Sequence, residues 1–217
     1  MKTIAVILSG CGVQDGSEIH EAVLTLLAIE QAGARYQCLA PNIAQHQVVD
    51  HSTGKPVANE KRNVLQEAAR IARGKILDIA QAKPADYDAM IFPGGYGAAL
   101  NLCDFAHKGS EHSVQKDVLH FAQAMVKAGK PAGFICIAPV LISKIYGKGV
   151  QLTIGNDAET AQTLEKMGAR HINCSVQEIV IDEQHKVVTT PAYMLAQSIT
   201  QAQAGIDKLV HKVIKMI

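Results

Sequence analysis

The chain has 217 residues, with 21 Lys and Arg against 20 Asp and Glu and a formal net charge of +1. That length suits a single α/β domain with a substantial core, and the balanced charge, with no Trp, five Tyr and four Phe, leaves little to grip a phosphate backbone or stack bases, so nucleic acid is not an expected partner. No apolar run approaches the ~20 residues that span a bilayer, and "MKTIAVILSGCGVQDG" reaches glycines and a charge too early for a signal peptide, so no membrane association and a cytoplasmic location are expected.

In chain order, "TIAVILSG" is a β-branched run ending in glycine. Residues 18–32 place apolar Ile19, Val23, Leu26, Leu27 and Ile29 at a largely helical spacing, closed by Gly33. "ARYQCLAP" reads as the next strand, residues 42–58 as an irregular connection, "ANEKRNVLQEAARIARG" as a helix with Gly74 just past its end, and "KILDIA" as a short strand. "YDAMIFPGG" is a buried strand stopped by Pro-Gly-Gly. "SVQKDVLHFAQAMVKAGK" is an amphipathic helix with Ser113 as N-cap, and "PAGFIC" is another apolar strand. A helix from about Ala158 to Met167 follows, then strands at "HINCSV", "EIVIDE" and "KVVTTP", the last two forming a hairpin, and a final helix from about Tyr193.

Strands alternating with helices imply an α/β fold, a mostly parallel sheet covered on both faces, with ligands bound outside the carboxyl ends of the strands. The segments "SGCGVQDGSE", "PGGYGAA" and "CIAPV" each follow a strand and should share that edge. Five cysteines (Cys11, Cys38, Cys103, Cys136 and Cys174) without CxxC spacing argue against a disulfide framework or a zinc knuckle, and all are expected to be reduced.

Cys136 stands in a tight strand-to-helix turn, where a following helix N-terminus favours the thiolate. The hydrolase elbow pattern G-x-S-x-G is not met, because Gly133 precedes the cysteine by three and Ala138 stands where the second glycine would be. By local pattern alone Cys136 is either a nucleophile or a core residue. Gly94 and Gly95 allow a close backbone approach of the kind an oxyanion hole requires, with Gly95 and Ile137 as the two N–H donors. They equally suit a plain turn. Glu18 and Glu21 share a face of the first helix, and either can lean over the sheet edge towards a thiol. A desolvated carboxyl there would serve as acid and base near neutral pH.

Elsewhere, "GCGVQDG" has the wrong spacing for a dinucleotide fingerprint, and Cys11 within it reads as a second exposed thiol or a packed loop residue. Cys103, His107 and His112 lack a metal-binding pattern. Cys38 and Cys174 fall in strands and read as structural, and His185 as a surface residue of the hairpin turn. No cofactor and no metal is expected.

Together, "KTIAVILSGCGVQDGSEIHEAVLTLLAI", "NVLQEAARIARGKI", "PGGYGAALNL", "GKPAGFICIAP", "LTIG" and "KVVTTPAYMLAQ" resemble the ElbB family, described as isoprenoid biosynthesis glyoxalase or enhancing lycopene biosynthesis protein. The similarity covers essentially the whole chain and is weakest at residues 42–58. It places the chain in the ThiJ/PfpI superfamily and implies a flavodoxin-like, glutamine amidotransferase-like three-layer sandwich in one domain, residues 1–217. It also implies Cys136 as the elbow cysteine, Gly95 with Ile137 as the oxyanion positions, and a first-helix glutamate. Distance to the "AG" closing that helix favours Glu21, with Glu18 as competitor.

Two departures matter. The intracellular-protease branch has a histidine directly after the cysteine where this chain has Ile137, and "VVTTPAYMLAQ" lacks the His-x-Glu pair of glutamine amidotransferases. The resemblance therefore implies a cofactor-independent glyoxalase acting on small aldehydes. Its rivals are a cysteine-based redox or interaction protein and an amidase-like hydrolase. The resemblance also implies a homodimer.

Overall fold

In the computed structural model, which describes residues 1–217, the alternation read from the sequence becomes a layered sheet. The first half supplies β1 (Thr3–Ile7), α1 (Ile19–Gln31), β2 (Arg35–Ala40), a short ribbon of β3 (Val49–Asp50) and β4 (Lys55–Pro56), α2 (Val64–Ile71), β5 (Ile76–Asp78) and β6 (Ala89–Phe92). The second half continues with the short helices α3 (Gly97–Leu100) and α4 (Phe105–Lys108), then α5 (Lys116–Lys127), β7 (Ala132–Ile135), α6 (Ile142–Tyr146) and β8 (Gln151–Leu152). It closes with α7 (Ala158–Lys166), β9 (Arg170–His171), β10 (Val180–Asp182), β11 (Val187–Thr190) and α8 (Ile199–Lys215).

Seven strands join in the order β10-β11-β7-β6-β1-β2-β5, and every neighbouring pair is parallel except the β10–β11 hairpin. Side chains alternate across the sheet. Ala5, Ile7, Met90, Phe92 and Phe134 enter one apolar layer with α5 and α6, while Ile4, Val6, Ala89, Ile91 and Ile135 enter the other with α1, α2 and α8. This is the flavodoxin-like three-layer sandwich. The rings of Phe92 and Phe134, on adjacent strands, stack with centroids 4.8 Å apart. Each fully buried Ile, Leu or Phe side chain contributes ~1.5–3 kcal/mol, so the two layers fix the strand register that aligns the loops above them.

Several boundaries differ from the sequence reading, and each has a local cause. α2 begins only at Val64, because Asn63 is extended and its side chain accepts from the Gln66 amide at 3.1 Å. α5 is capped by Gln115, which accepts from the Val118 amide at 2.9 Å, while the Ser113 amide donates to Asp104. Tyr193 lies in a 3-10 turn, and the last helix starts at Ile199 behind the Ser198 cap. Of "HINCSV" only His171 forms strand, with Arg170 before it in β9 and paired with β8, so Cys174 sits in a loop. Residues 42–58 hold the β3–β4 ribbon. No helix is long and apolar enough to cross a membrane.

The apolar positions of α1 divide between two sides. Leu26 and Ile29 are buried, whereas Ile19, Val23 and Leu27, four residues apart on one face, are 43%, 48% and 41% exposed.

Candidate active site

The loops after β1, β6 and β7 meet at the carboxyl edge of the sheet, as their parallel order requires. The first two are joined backbone to backbone. Tyr96 donates to the Val13 carbonyl at 2.7 Å, Gly97 to Gly16 at 2.9 Å and Glu18 to Gly94 at 2.9 Å. Asn101 bridges them from below, donating to the carbonyls of Ser9 and Asp15 at 2.9 Å each.

Cys136 follows β7 directly and adopts φ of +61°, a left-handed conformation that is strained for a residue with a side chain. Its amide donates to the Thr190 carbonyl at 3.0 Å, which holds the turn against the end of β11. The thiol thereby points back over the sheet edge at 7% exposure. The backbone amides of Gly95 and Ile137 and the Glu21 carboxyl are the polar groups beside its sulfur. The two amides therefore stand on the same atom, the Cys136 sulfur.

Glu21 is fully buried, and both of its oxygens are used. Oε2 accepts from the Gly94 amide at 2.9 Å and Oε1 from the Tyr193 amide at 3.1 Å. Burial raises its pKa to about 8, the charge of Glu18 adds to the rise, and the Tyr193 amide, the Cys136 thiol and the Gly94 amide oppose it. Burial also pushes the Cys136 thiol well above its ordinary value, reinforced by the Glu21 charge and opposed by the two amides. The turn that follows Cys136 is a four-residue 3-10 segment (Ala138–Leu141) leading into the short α6, and burial with the Glu21 charge outweighs any pull of that terminus on the thiol.

Rotation of α1 brings Glu21, and not Glu18, beside the thiol. Glu18 is the N-cap, its Oε2 accepting from the Glu21 amide at 2.7 Å, and it makes no hydrogen bond to the thiol. Gly95, at φ of +94°, takes the left-handed turn that aims its N–H at Cys136. Sequence reasoning missed Tyr193, whose amide fixes Glu21 and whose hydroxyl lies 2.9 Å from His20 Nδ1. The signal was present: "TTPAY" ends the strand beside β7, so its loop had to reach the same edge. Also missed were Asp157, Glu159 and Thr160, which with Tyr96 and Met194 line a cleft of about 520 Å³ over Cys136.

The other candidates lie elsewhere. Cys11 is half-buried, its thiol pushed up by burial and then by the Glu67 charge. Cys38 and Cys103 are buried, and no group of His, Cys, Asp and Glu has metal-site geometry. His185 is not a free surface group: its Nδ1 lies 3.0 Å from buried Asp182, tying the hairpin turn together.

No family model matches the chain. A human protein, glutamine amidotransferase-like class 1 domain-containing protein 3, mitochondrial, is 45% identical over 222 residues that cover 98% of this chain and 82% of that protein. The rat ES1 protein homolog, mitochondrial, is 44% identical over 98% of this chain and 83% of its own length. The chain belongs to this ES1 family. A solved structure from Ehrlichia chaffeensis, described as an isoprenoid biosynthesis protein with an amidotransferase-like domain, is 34% identical and has a TM-score of 0.91, covering 99% of this chain and 100% of its own. Outside the ES1 family the fold alone is shared with glyoxalase III from Candida albicans, at a TM-score of 0.64, 15% identity and coverage of 100% and 97%. Drosophila DJ-1beta shares it at 0.55 and 17%, with coverage of 99% and 95%. These neighbours make the fold ThiJ/PfpI-like.

The same relatives correct the expected location. The ES1-family proteins of human, rat and zebrafish are named as mitochondrial, which overturns the cytoplasmic expectation.

Proposed function

We propose that this ES1-family chain is a cofactor-independent glyoxalase of the ElbB branch, converting small 2-oxoaldehydes such as glyoxal to 2-hydroxy acids at low efficiency. The observation that carries it is the buried Glu21 carboxyl on the Cys136 thiol, with the amides of Gly95 and Ile137 converging on the same sulfur. Cys136 is the nucleophile, Glu21 the acid and base, Gly95 and Ile137 the oxyanion donors, and Gly94 a backbone anchor for Glu21.

Ionised Glu21 accepts the thiol proton as sulfur bonds to one aldehyde carbon, and the resulting oxyanion rests on the two amides before taking up a proton. Glu21 then removes that carbon's hydrogen as a proton and returns one to the neighbouring carbon, giving a thioester of the 2-hydroxy acid. Water adds to the thioester, the acid leaves as glycolate or lactate, and the sulfur regains its proton. A thiol pushed up by burial is deprotonated rarely, which suits slow turnover.

The rival readings fit less well. A peroxide sensor calls for an exposed, low-pKa thiol, and Cys136 is neither. Amide hydrolysis calls for a histidine to protonate the leaving nitrogen, and no histidine lines the cleft. The isoprenoid link rests on a relative's description, and the cleft offers no lysine or arginine for a prenyl diphosphate. Glyoxal consumption by Cys136→Ala and Glu21→Gln is expected to fall at least ~100-fold. Consumption at the wild-type rate in either variant overturns the assignment.

A further inference from the structure

The rim of the cleft over Cys136 carries charge of one sign. Asp157 and Glu159 stand there, and no lysine, arginine or histidine lines the cleft. Neither carboxylate has a cationic partner within 4 Å, although the chain as a whole carries +1. Asp157 is the N-cap of α7 and accepts from the Thr160 amide at 2.8 Å, so part of its field is met by the helix terminus. Hydrogen bonds from the Thr160 hydroxyl and amide hold its carboxyl below the usual range, which keeps it charged. Glu159 makes no cap bond; it stands in the first turn of α7, where the helix terminus also meets part of its field, and it has no cationic side chain to neutralise it at the cleft.

We infer that this cleft is an electrostatic filter: it admits neutral and cationic carbonyl compounds to Cys136 and turns away those bearing a carboxylate or phosphate. A nearby acidic rim with low-dielectric walls focuses a negative potential at the entrance and lowers the local concentration of anions. The filter also acts on the product, because a 2-hydroxy acid leaves as an anion and is repelled from the place where it formed. This selection rests on the cleft being the entrance to the reactive thiol, which the proposed glyoxalase chemistry also requires.

The test reads the field without any turnover. Modification of Cys136 is followed by peptide mass spectrometry with three methanethiosulfonates: the trimethylammonioethyl cation, the sulfonatoethyl anion and the neutral methyl reagent as reference. Relative to a small free thiol, the cation-to-anion rate ratio is expected to be raised roughly tenfold at low ionic strength, the effect of two partly screened unit charges at the mouth. Asp157→Asn with Glu159→Gln, or 0.5 M salt, is expected to return the ratio to that of the free thiol. Asn preserves the α7 cap, and Glu159→Gln alone is expected to remove the larger share.

A ratio equal to that of the free thiol, or one unmoved by the double variant, overturns the filter. So does a Cys136 inert to all three reagents, since the cleft would then not lead to it. A raised ratio in a protein that leaves glyoxal unconsumed keeps the filter and removes the glyoxalase reading.

Discussion

Cys136 at the sheet edge and Cys38 and Cys103 in the two apolar layers are all buried, at 7%, 0% and 4% exposure. Burial pushes the thiols of Cys38 and Cys103 up to about 12, and no side-chain carboxyl is bonded to either. Cys136 is pushed up too, but a carboxyl able to exchange protons and two amides able to hold an anion stand against it. Burial by itself makes a thiol inert, whereas burial beside a proton acceptor allows ionisation only while a substrate is taking the sulfur's electrons. The two regions differ in polar neighbours rather than in solvent access.

Removing the polar shell should have the largest effect. A Cβ on Gly94 would overlap the Cβ of Cys136 and the Glu21 Oε2, so Gly94→Ala is expected to abolish glyoxal turnover and lower stability in urea by ~1–3 kcal/mol or more. Wild-type activity in that variant would show that the edge is ordinary packing.

The next contrast is in pH. In the proposed chemistry Glu21 accepts the thiol proton only as a carboxylate, so turnover should rise with pH through about 8, roughly tenfold between pH 7 and 9. Stability should run the other way. A folded-state pKa raised from 4.5 to about 8 favours the folded protein below the lower value and is lost as pH rises through the upper one. Urea unfolding should therefore show a decrease of up to about 4 kcal/mol between pH 5 and 9, and this component should be absent in Glu21→Gln. A pH-independent difference between the two proteins would place the titrating group elsewhere.

The apolar side of the comparison predicts less. Cys38→Ala is expected to cost about 1 kcal/mol of stability and leave glyoxal turnover unchanged. A change in turnover would mean that the layers and the edge are coupled. Smallest in its effect on the fold is Val23→Glu, placed in the exposed stripe of α1. If the chain pairs with a second copy through that stripe, light scattering should show the assembly reduced to monomers with an unchanged circular dichroism spectrum. An unchanged mass would overturn pairing through that stripe.

The parallel sheet was legible because its strands are short apolar runs punctuated by Gly and Pro, and the convergence of three loops followed from strand direction alone. What stayed hidden depended on side-chain caps and helix rotation. Asn63 and Gln115 set helix starts that periodicity placed earlier. Glu18 and Glu21 are three residues apart on one face, and only the 2.7 Å cap bond shows which of them is left to meet the thiol. Tyr193 escaped notice because it contributes through its backbone amide, which no side-chain pattern encodes.

The 172 positions separating Glu21 from Tyr193, and the 73 separating it from Gly94, bear on how the molecule is made. Contacts so distant along the chain are slow to close, and in the unfolded chain, which lacks them, Cys136 is a solvated thiol of ordinary pKa, ~8.5. Newly made and partly unfolded molecules therefore expose a more reactive sulfur than finished ones, and completing the sheet is what shields the chain from indiscriminate alkylation.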